Sequence, residues 1–117
     1  MKFIEVVSIP VSDQQVAKEF YLKIGFELII EAPMGNGDTW LQLGLPGQAT
    51  SISLVTWFSK IAPGSSQGLV LYTDDIEKEV TVLRAKGITM KDIDPTPWGK
   101  FSEFSDPDGN SMVLRQP

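Results

Sequence analysis

The sequence contains no cysteine and no histidine among its 117 residues. Without cysteine there is no disulfide, no thiolate metal ligand and no cysteine nucleophile, a usage that suits a reducing compartment. Without histidine, the commonest general base and the commonest metal ligand are both missing. Together these absences exclude Ser-His-Asp catalysis, HExxH zinc sites and facial-triad iron sites.

Basic residues are also scarce, since Lys and Arg number 10 against 15 Asp and Glu, for a formal net charge of −5. Such a chain has no basic face that could neutralise phosphates, so we do not expect a nucleic acid partner. The segment from Met1 to Glu5 reaches an acid at once and begins no long apolar run. We therefore expect neither a signal peptide nor a membrane span, and a cytoplasmic location.

The length and composition of the sequence predict a single globular domain of residues 1–117, and its patterns indicate an internal repeat. Residues 12–15 have the S-x-x-Q form of a capping box, and the apolar spacing that follows predicts a helix ending at Gly25. Residues 74–77 open a second amphipathic pattern, which ends at Gly87. Both caps and both glycines are separated by the same number of residues, which indicates two similar halves.

Each predicted helix is flanked by short apolar or alternating runs that are typical of strands. The predicted strands cover 3–11, 26–30, 40–43 and 51–55 in the first half, and 69–73, 88–90, 101–105 and 112–114 in the second. Pro, Gly and Ser cluster at 62–67 and separate the halves. The pattern predicts two tandem βαβββ modules, one over about 1–60 and one over about 66–117. Their sheets each have one bare face, and these faces could curve around a concave pocket.

This repeat, with Phe20-Tyr21 before Gly25-Phe26, Asp74-Asp75 at the second helix and the closing Asp106-Pro107-Asp108-Gly109-Asn110, resembles the vicinal oxygen chelate superfamily. That superfamily includes glyoxalase I, extradiol dioxygenases, fosfomycin-resistance enzymes and bleomycin-resistance binding proteins. The resemblance covers nearly the whole chain. It implies an α+β fold of curved mixed sheets around a concave pocket.

The resemblance also implies a divalent metal held by one His or Glu from each of four strands. In this sequence the matching positions are Val6, Ser53, Gly68 and Val113, and a slip of one residue brings in only Glu5. One carboxylate and one hydroxyl do not make a tight transition-metal site. We therefore expect no metal and no other cofactor.

Candidate ligand-binding residues in the first half lie on two strands. Trp40 and Gln42 alternate with Leu41 and Leu43, and Ser53 and Trp57 alternate with Ile52 and Leu54. If the apolar residues pack on the helix, the others face the concavity, where tryptophans could form a wall for a flat or cationic ligand. A dimer interface or ordinary core is the alternative for each tryptophan.

The second half offers three further candidates, Tyr72, Trp98 and Glu103. Tyr72 could donate its hydroxyl to a ligand, or be a half-buried strand residue. Glu103 is expected to pair near Val113 and, if desolvated, to have a raised pKa and act as an acid or base; otherwise it is a solvated strand residue. The Pro97-Trp98-Gly99 segment could be a lid or a tight entry to the next strand.

The leading hypothesis is therefore a homodimeric, metal-free protein that binds an aromatic or hydrophobic small molecule in a pocket between modules of the dimer. One alternative is a glyoxalase- or dioxygenase-like enzyme with a divergent or metal-independent site, in which Glu103 and Tyr72 are the weak catalytic candidates. Another is a dimeric structural module whose pocket is filled by its own side chains. The sequence does not identify the ligand.

Overall fold

The computed structural model describes all 117 residues and repeats one order of elements, strand, helix and three strands. The first half comprises β1 (Val6–Pro10), α1 (Gln14–Lys23), β2 (Glu27–Pro33), β3 (Thr39–Gly44) and β4 (Ser51–Val55). The second comprises β5 (Leu69–Tyr72), α2 (Ile76–Ala85), β6 (Asp94–Thr96), β7 (Gly99–Ser105) and β8 (Ser111–Gln116).

The chain divides into two compact units, one of residues 1–65 with 106–110 and one of residues 66–105 with 111–117. Each unit holds a four-stranded mixed sheet, in the orders β1-β4-β3-β2 and β5-β8-β7-β6. In each sheet the first and last strands of the repeat pair in parallel, and the other pairs are antiparallel. The prediction of an α+β fold with two βαβββ repeats is confirmed.

In the first unit, α1 packs on one face of its sheet, above a core of five side chains that are at most 4% exposed: Ile9, Leu41, Leu43, Ile52 and Leu54. The helix is capped by Asp13, whose carboxylate accepts hydrogen bonds from the backbone N–H groups of Gln15 and Val16. The predicted Ser12 cap is wrong. The Ser12 hydroxyl instead donates to Asp108 at 2.5 Å, so it is not free to cap the helix.

The turn of residues 106–110 belongs to the first unit although it follows β7 in the chain. The Asp106 carboxylate accepts hydrogen bonds from the Tyr21 hydroxyl at 2.9 Å and from Asn110 Nδ2 at 2.7 Å. Asn110 Nδ2 also donates to the carbonyl of Pro10 at 2.8 Å. Burial, followed by the Asp106 charge, strongly raises the pKa of Tyr21. Hydrogen bonds from this turn therefore stabilise the packing of α1 and β1 in the first unit.

In the second unit, Asp75 caps α2, and Ile76, Val80 and Leu83 bury its apolar face. The predicted strand at 88–90 is wrong, because that segment is an irregular connection. The carbonyls at the end of this segment accept hydrogen bonds from side chains and not from a neighbouring strand. Arg84 donates to the carbonyl of Met90 at 2.9 Å, and Ser102 donates to the carbonyl of Lys91 at 2.8 Å.

The strand that pairs with β7 lies a few residues later, as β6, at the edge of the sheet. Pro95 lies within β6. A proline lacks the N–H donor of a central strand but is tolerated at an edge. The sequence reasoning placed this strand too early because it followed the apolar residues Ile88 and Met90, which are buried without belonging to the sheet.

Candidate functional site

The sheet of the first unit has one face toward α1 and one face away from it. Glu31 lies opposite Leu41 in the β2–β3 ladder, and its carboxylate accepts a hydrogen bond from Lys18 of α1 at 2.8 Å. Leu41 therefore lies on the helix face. Since side chains alternate along a strand, Trp40 and Gln42 lie on the open face, as predicted.

Three aromatic rings cluster beside this open face. The ring centres of Trp40 and Trp57 are 6.4 Å apart with an interplanar angle of 48°. Phe58 packs edge-on against Trp57, with ring centres 5.8 Å apart. The two tryptophans are half-buried and Phe58 is 42% exposed, so the cluster is accessible to a flat ligand. We call Trp40, Trp57 and Phe58 the aromatic wall.

Phe58 was not predicted, because it lies beyond the end of β4 and outside the alternating pattern of that strand. An unbroken Trp57-Phe58 pair next to a proline- and glycine-containing segment was the available signal.

A chain of hydrogen bonds crosses the sheet next to the aromatic wall. The indole N–H of Trp40 donates to Gln42 Oε1 at 3.0 Å, and Gln42 Nε2 donates to Ser51 Oγ at 2.7 Å. The Ser51 hydroxyl donates to the backbone carbonyl of Glu5 at 3.1 Å. The amide of Gln42 is thus already paired on both sides.

Ser53, a predicted ligand-binding residue, has no exposed surface in this structure. Its hydroxyl lies 3.3 Å from that of Ser8 on the neighbouring strand β1. A ligand contact with Ser53 would require this position to be uncovered.

The sheet of the second unit is built in the same way. Lys100 donates to Glu77 of α2 at 2.7 Å, and Gln116, opposite Lys100 in the β7–β8 ladder, accepts a hydrogen bond from the backbone of Ile76. These residues define the helix face. The alternate residues, including Tyr72 and Glu103, therefore lie on the open face.

A half-open cavity of about 270 Å³ lies on this open face. Its lining combines an apolar floor with three carboxylates and one ammonium group: Phe101, Val113, Asp92, Asp94, Glu103 and Lys91. Two of these carboxylates are in ion pairs, Asp92 with Arg84 and Glu103 with Lys91. The cavity can accept a small apolar group, with acidic side chains around it.

The two weak catalytic candidates lie on the same face but on separate strands, with β8 between them. Glu103 pairs with Val113 in the β7–β8 ladder, as predicted, and its carboxylate lies 3.4 Å from Lys91 Nζ. Its side chain is 45% exposed, so it is not in the desolvated environment that the sequence analysis considered. The Tyr72 hydroxyl donates to Asp74 at 2.6 Å, and this hydrogen bond raises the pKa of Tyr72.

Trp98 lies at the tip of the β6–β7 hairpin, and its side chain is 74% exposed. Its backbone is held by three hydrogen bonds to side chains. The Arg115 guanidinium donates to its carbonyl from Nη2 at 2.8 Å and from Nε at 3.1 Å, and its own N–H donates to the Thr96 hydroxyl at 3.1 Å. The segment is thus a tight turn into β7 that presents an indole ring to its surroundings.

The residues do not fit the divalent metal that the sequence resemblance implies. Val6 and Ser53 lie on the paired strands β1 and β4, Gly68 directly precedes β5, and Val113 lies on β8. These positions offer one hydroxyl, and no group of three or more Asp or Glu side chains is placed to hold a metal ion. A specific transition-metal site needs three or four good ligands at fixed geometry.

This fold of two βαβββ repeats defines a known class, and comparison with known proteins agrees. Residues 3–114 match the family model of the Glyoxalase/Bleomycin resistance protein/Dioxygenase superfamily. The chain belongs to this superfamily. Neither α1 nor α2 has the length and apolar character that a membrane-spanning helix requires.

Three individual proteins of known sequence or structure are similar to this chain over nearly its whole length. The chain is 31% identical to the uncharacterized protein YetH of Bacillus subtilis (strain 168), over 99% of both chains. It is 42% identical to TnmS3, an antibiotic binding protein from Streptomyces sp. CB03234, with a TM-score of 0.95 over 100% of this chain and 97% of that one. A glyoxalase/bleomycin resistance protein from the same organism is 43% identical, with a TM-score of 0.87 over 97% of this chain and 100% of the other.

Proposed function

We propose that this protein binds a small molecule with a flat aromatic or hydrophobic body, without a metal, and that the aromatic wall is its main contact surface. The observation that carries the proposal is a pair of half-buried tryptophans whose ring centres are 6.4 Å apart, Trp40 on the open face of the first sheet and Trp57 just beyond the end of β4. Aromatic side chains gain most when a ring stacks on them or packs against their edge.

The similarity to an antibiotic binding protein over the full chain supports a binding role and suggests the class of ligand. Antibiotics with fused aromatic rings have the flat apolar surface that such a wall recognises. The cavity lined by Phe101 and Val113 supports a proposed ligand contact within the second unit, for a small apolar group. Tyr72 and Glu103 on the second sheet, and Trp98 in the turn between β6 and β7, are proposed as ligand contacts of the second unit.

The proposal includes a homodimer. Several large apolar side chains are exposed in one chain, among them Ile29, Val70 and Trp98. Exposed apolar surface of this kind is costly in water and commonly marks an interface. Static light scattering at micromolar concentration tests this, with twice the chain mass expected. A monodisperse monomer would contradict the dimer.

The binding proposal is tested by calorimetric titration of a panel of planar aromatic antibiotics into the wild-type protein and into Trp57→Ala. We expect at least one compound to bind the wild type and to bind the variant about two- to tenfold more weakly for each lost ring contact. The matched control is Phe3→Ala, which removes an exposed aromatic residue outside the aromatic wall.

Thermal unfolding of both variants accompanies the titration. A tryptophan that is ordinary core costs about 3 to 5 kcal/mol of stability when it is truncated to alanine. Loss of that size in Trp57→Ala, together with no binding of any compound by the wild type, would contradict the proposal. Equal weakening in Phe3→Ala would contradict the assignment of the aromatic wall.

A further inference from the structure

We propose that Gln42 and Ser51 are positioning residues that hold Trp40 by its indole N–H group. Because that N–H is already used, the Trp40 ring selects ligands that present an apolar π surface and not a hydrogen-bond acceptor. The inference rests on the proposed function for its binding consequence. Its structural part rests on three hydrogen bonds in the first unit.

The only polar group of the Trp40 side chain, its indole N–H, is already hydrogen-bonded within the protein. Its N–H donates to Gln42 Oε1 at 3.0 Å, two residues along the same strand. An indole has one donor and no acceptor. A ligand at Trp40 therefore meets ring carbon atoms, and recognition there depends on shape and stacking.

The side-chain amide of Gln42 is itself held in one orientation. Its amide nitrogen donates to Ser51 Oγ at 2.7 Å, which requires that the amide oxygen point toward Trp40. Ser51 is 5% exposed, and its hydroxyl donates to the Glu5 carbonyl at 3.1 Å. This series of hydrogen bonds thus ends on a backbone carbonyl, which can only accept. The direction of each preceding hydrogen bond is therefore fixed.

The pairing of neighbouring strands sets the distances between these hydrogen-bonded residues. In the β3–β4 ladder, Gln42 pairs with Ser53, and in the β1–β4 ladder Ser51 pairs with Val6. This series of hydrogen bonds therefore links β3 and β4 to Glu5, the residue directly before β1, and the backbone pairing of these strands sets the separation of its members. A preorganised contact surface loses less rotamer entropy when a ligand binds.

Two variants of Gln42 separate positioning from a general contribution to folding. Gln42→Leu removes the acceptor with little change of size. Gln42→Glu keeps an acceptor for the indole N–H, and the Ser51 hydroxyl can turn to donate to the new carboxylate. If Gln42 served only the fold, both variants would change the behaviour of Trp40. If Gln42 positions the Trp40 ring, only Gln42→Leu should change it.

The first readout is the solvent exchange rate of the indole N–H groups, measured in nitrogen–proton correlation spectra, where three tryptophans give three signals. We expect the Trp40 signal to exchange at least about tenfold more slowly than that of the exposed Trp98, by the protection that hydrogen bonding gives. In Gln42→Leu the Trp40 rate should approach that of Trp98, and in Gln42→Glu it should remain slow.

The second readout is fluorescence titration with Nile red, a neutral planar dye. We expect the dissociation constant to rise about two- to tenfold in Gln42→Leu and to change by less than about twofold in Gln42→Glu. An unchanged Trp40 exchange rate in Gln42→Leu, or equal weakening in the two variants, would overturn the inference. If the wild type bound neither Nile red nor any panel compound, the proposed function would fail, while the exchange rates would still decide the positioning role.

Discussion

The hydrogen bond between Tyr21 and Asp106 is expected to contribute measurably to the free energy of unfolding. Tyr21 is fully buried, and its hydroxyl donates to Asp106 Oδ2 at 2.9 Å. Tyr21→Phe keeps the ring and its edge-on packing against Phe20 and Phe26. The variant therefore removes one hydrogen bond to a buried carboxylate and leaves the apolar packing intact.

Hydrogen bonds to charged groups contribute about 1.5 to 3 kcal/mol. The Asp106 carboxylate keeps three other donors, the backbone N–H groups of Asp108 and Asn110 and the Asn110 side chain. We therefore expect the lower part of that range, about 1.5 to 2 kcal/mol, for Tyr21→Phe. Urea denaturation, with the midpoint and the slope fitted separately, provides the measurement.

The chain provides its own control, since Tyr72 also donates to an aspartate, Asp74, at 2.6 Å but is 65% exposed. Tyr72→Phe should change the free energy of unfolding by less than about 0.5 kcal/mol, because water replaces the lost bond. The reasoning would be refuted if Tyr21→Phe also cost less than this, or if the two variants were equally destabilised.

Three further predictions concern a turn, the acid limb of stability and metal content. Gly64 has a positive φ, and a Cβ there would overlap the Asp108 carbonyl. Gly64→Ala should therefore lower the free energy of unfolding by about 1 to 3 kcal/mol, clearly more than Gly47→Ala, where φ is also positive but the space is open. Equal urea midpoints for the two variants would contradict this. A hydrogen bond from Lys18 lowers the pKa of Glu31 in the folded protein. The stability that this ion pair contributes is therefore present above the ordinary glutamate pKa, and it is lost as the pH falls through the lowered pKa of the folded state. Glu31→Gln should therefore flatten the acid limb of melting temperature against pH, and an unchanged limb would count against the ion pair. Elemental analysis of protein purified without chelator should find no stoichiometric transition metal, and one equivalent of zinc, nickel, manganese or iron per chain would refute the metal-free proposal.

Local patterns in the sequence were sufficient to predict most of the fold. The matching glycine stops, Gly25 and Gly87, follow the ends of α1 and α2, and the alternation around Leu41 correctly placed Trp40 and Gln42 on the open face. Both inferences depend on periodicity, which is set by the helix and strand backbones themselves.

What the sequence did not predict depends on contacts between distant residues. The strand β6 comes after a connection whose carbonyls accept hydrogen bonds from Arg84 and Ser102, and no local pattern records such contacts. Likewise, the hydrogen bond from Gln42 to Ser51 joins separate strands, so sequence reasoning could treat Gln42 only as a possible ligand contact.

The central claim, that the aromatic wall contacts the ligand, is tested most directly by mapping chemical shift changes when a panel compound binds the wild-type protein. We predict that the indole signals of Trp40 and Trp57 and the backbone amides of β3 and β4 shift most, and that they shift in proportion to bound compound. Shifts that leave both indole signals and these two strands unchanged while the compound binds elsewhere would contradict the account.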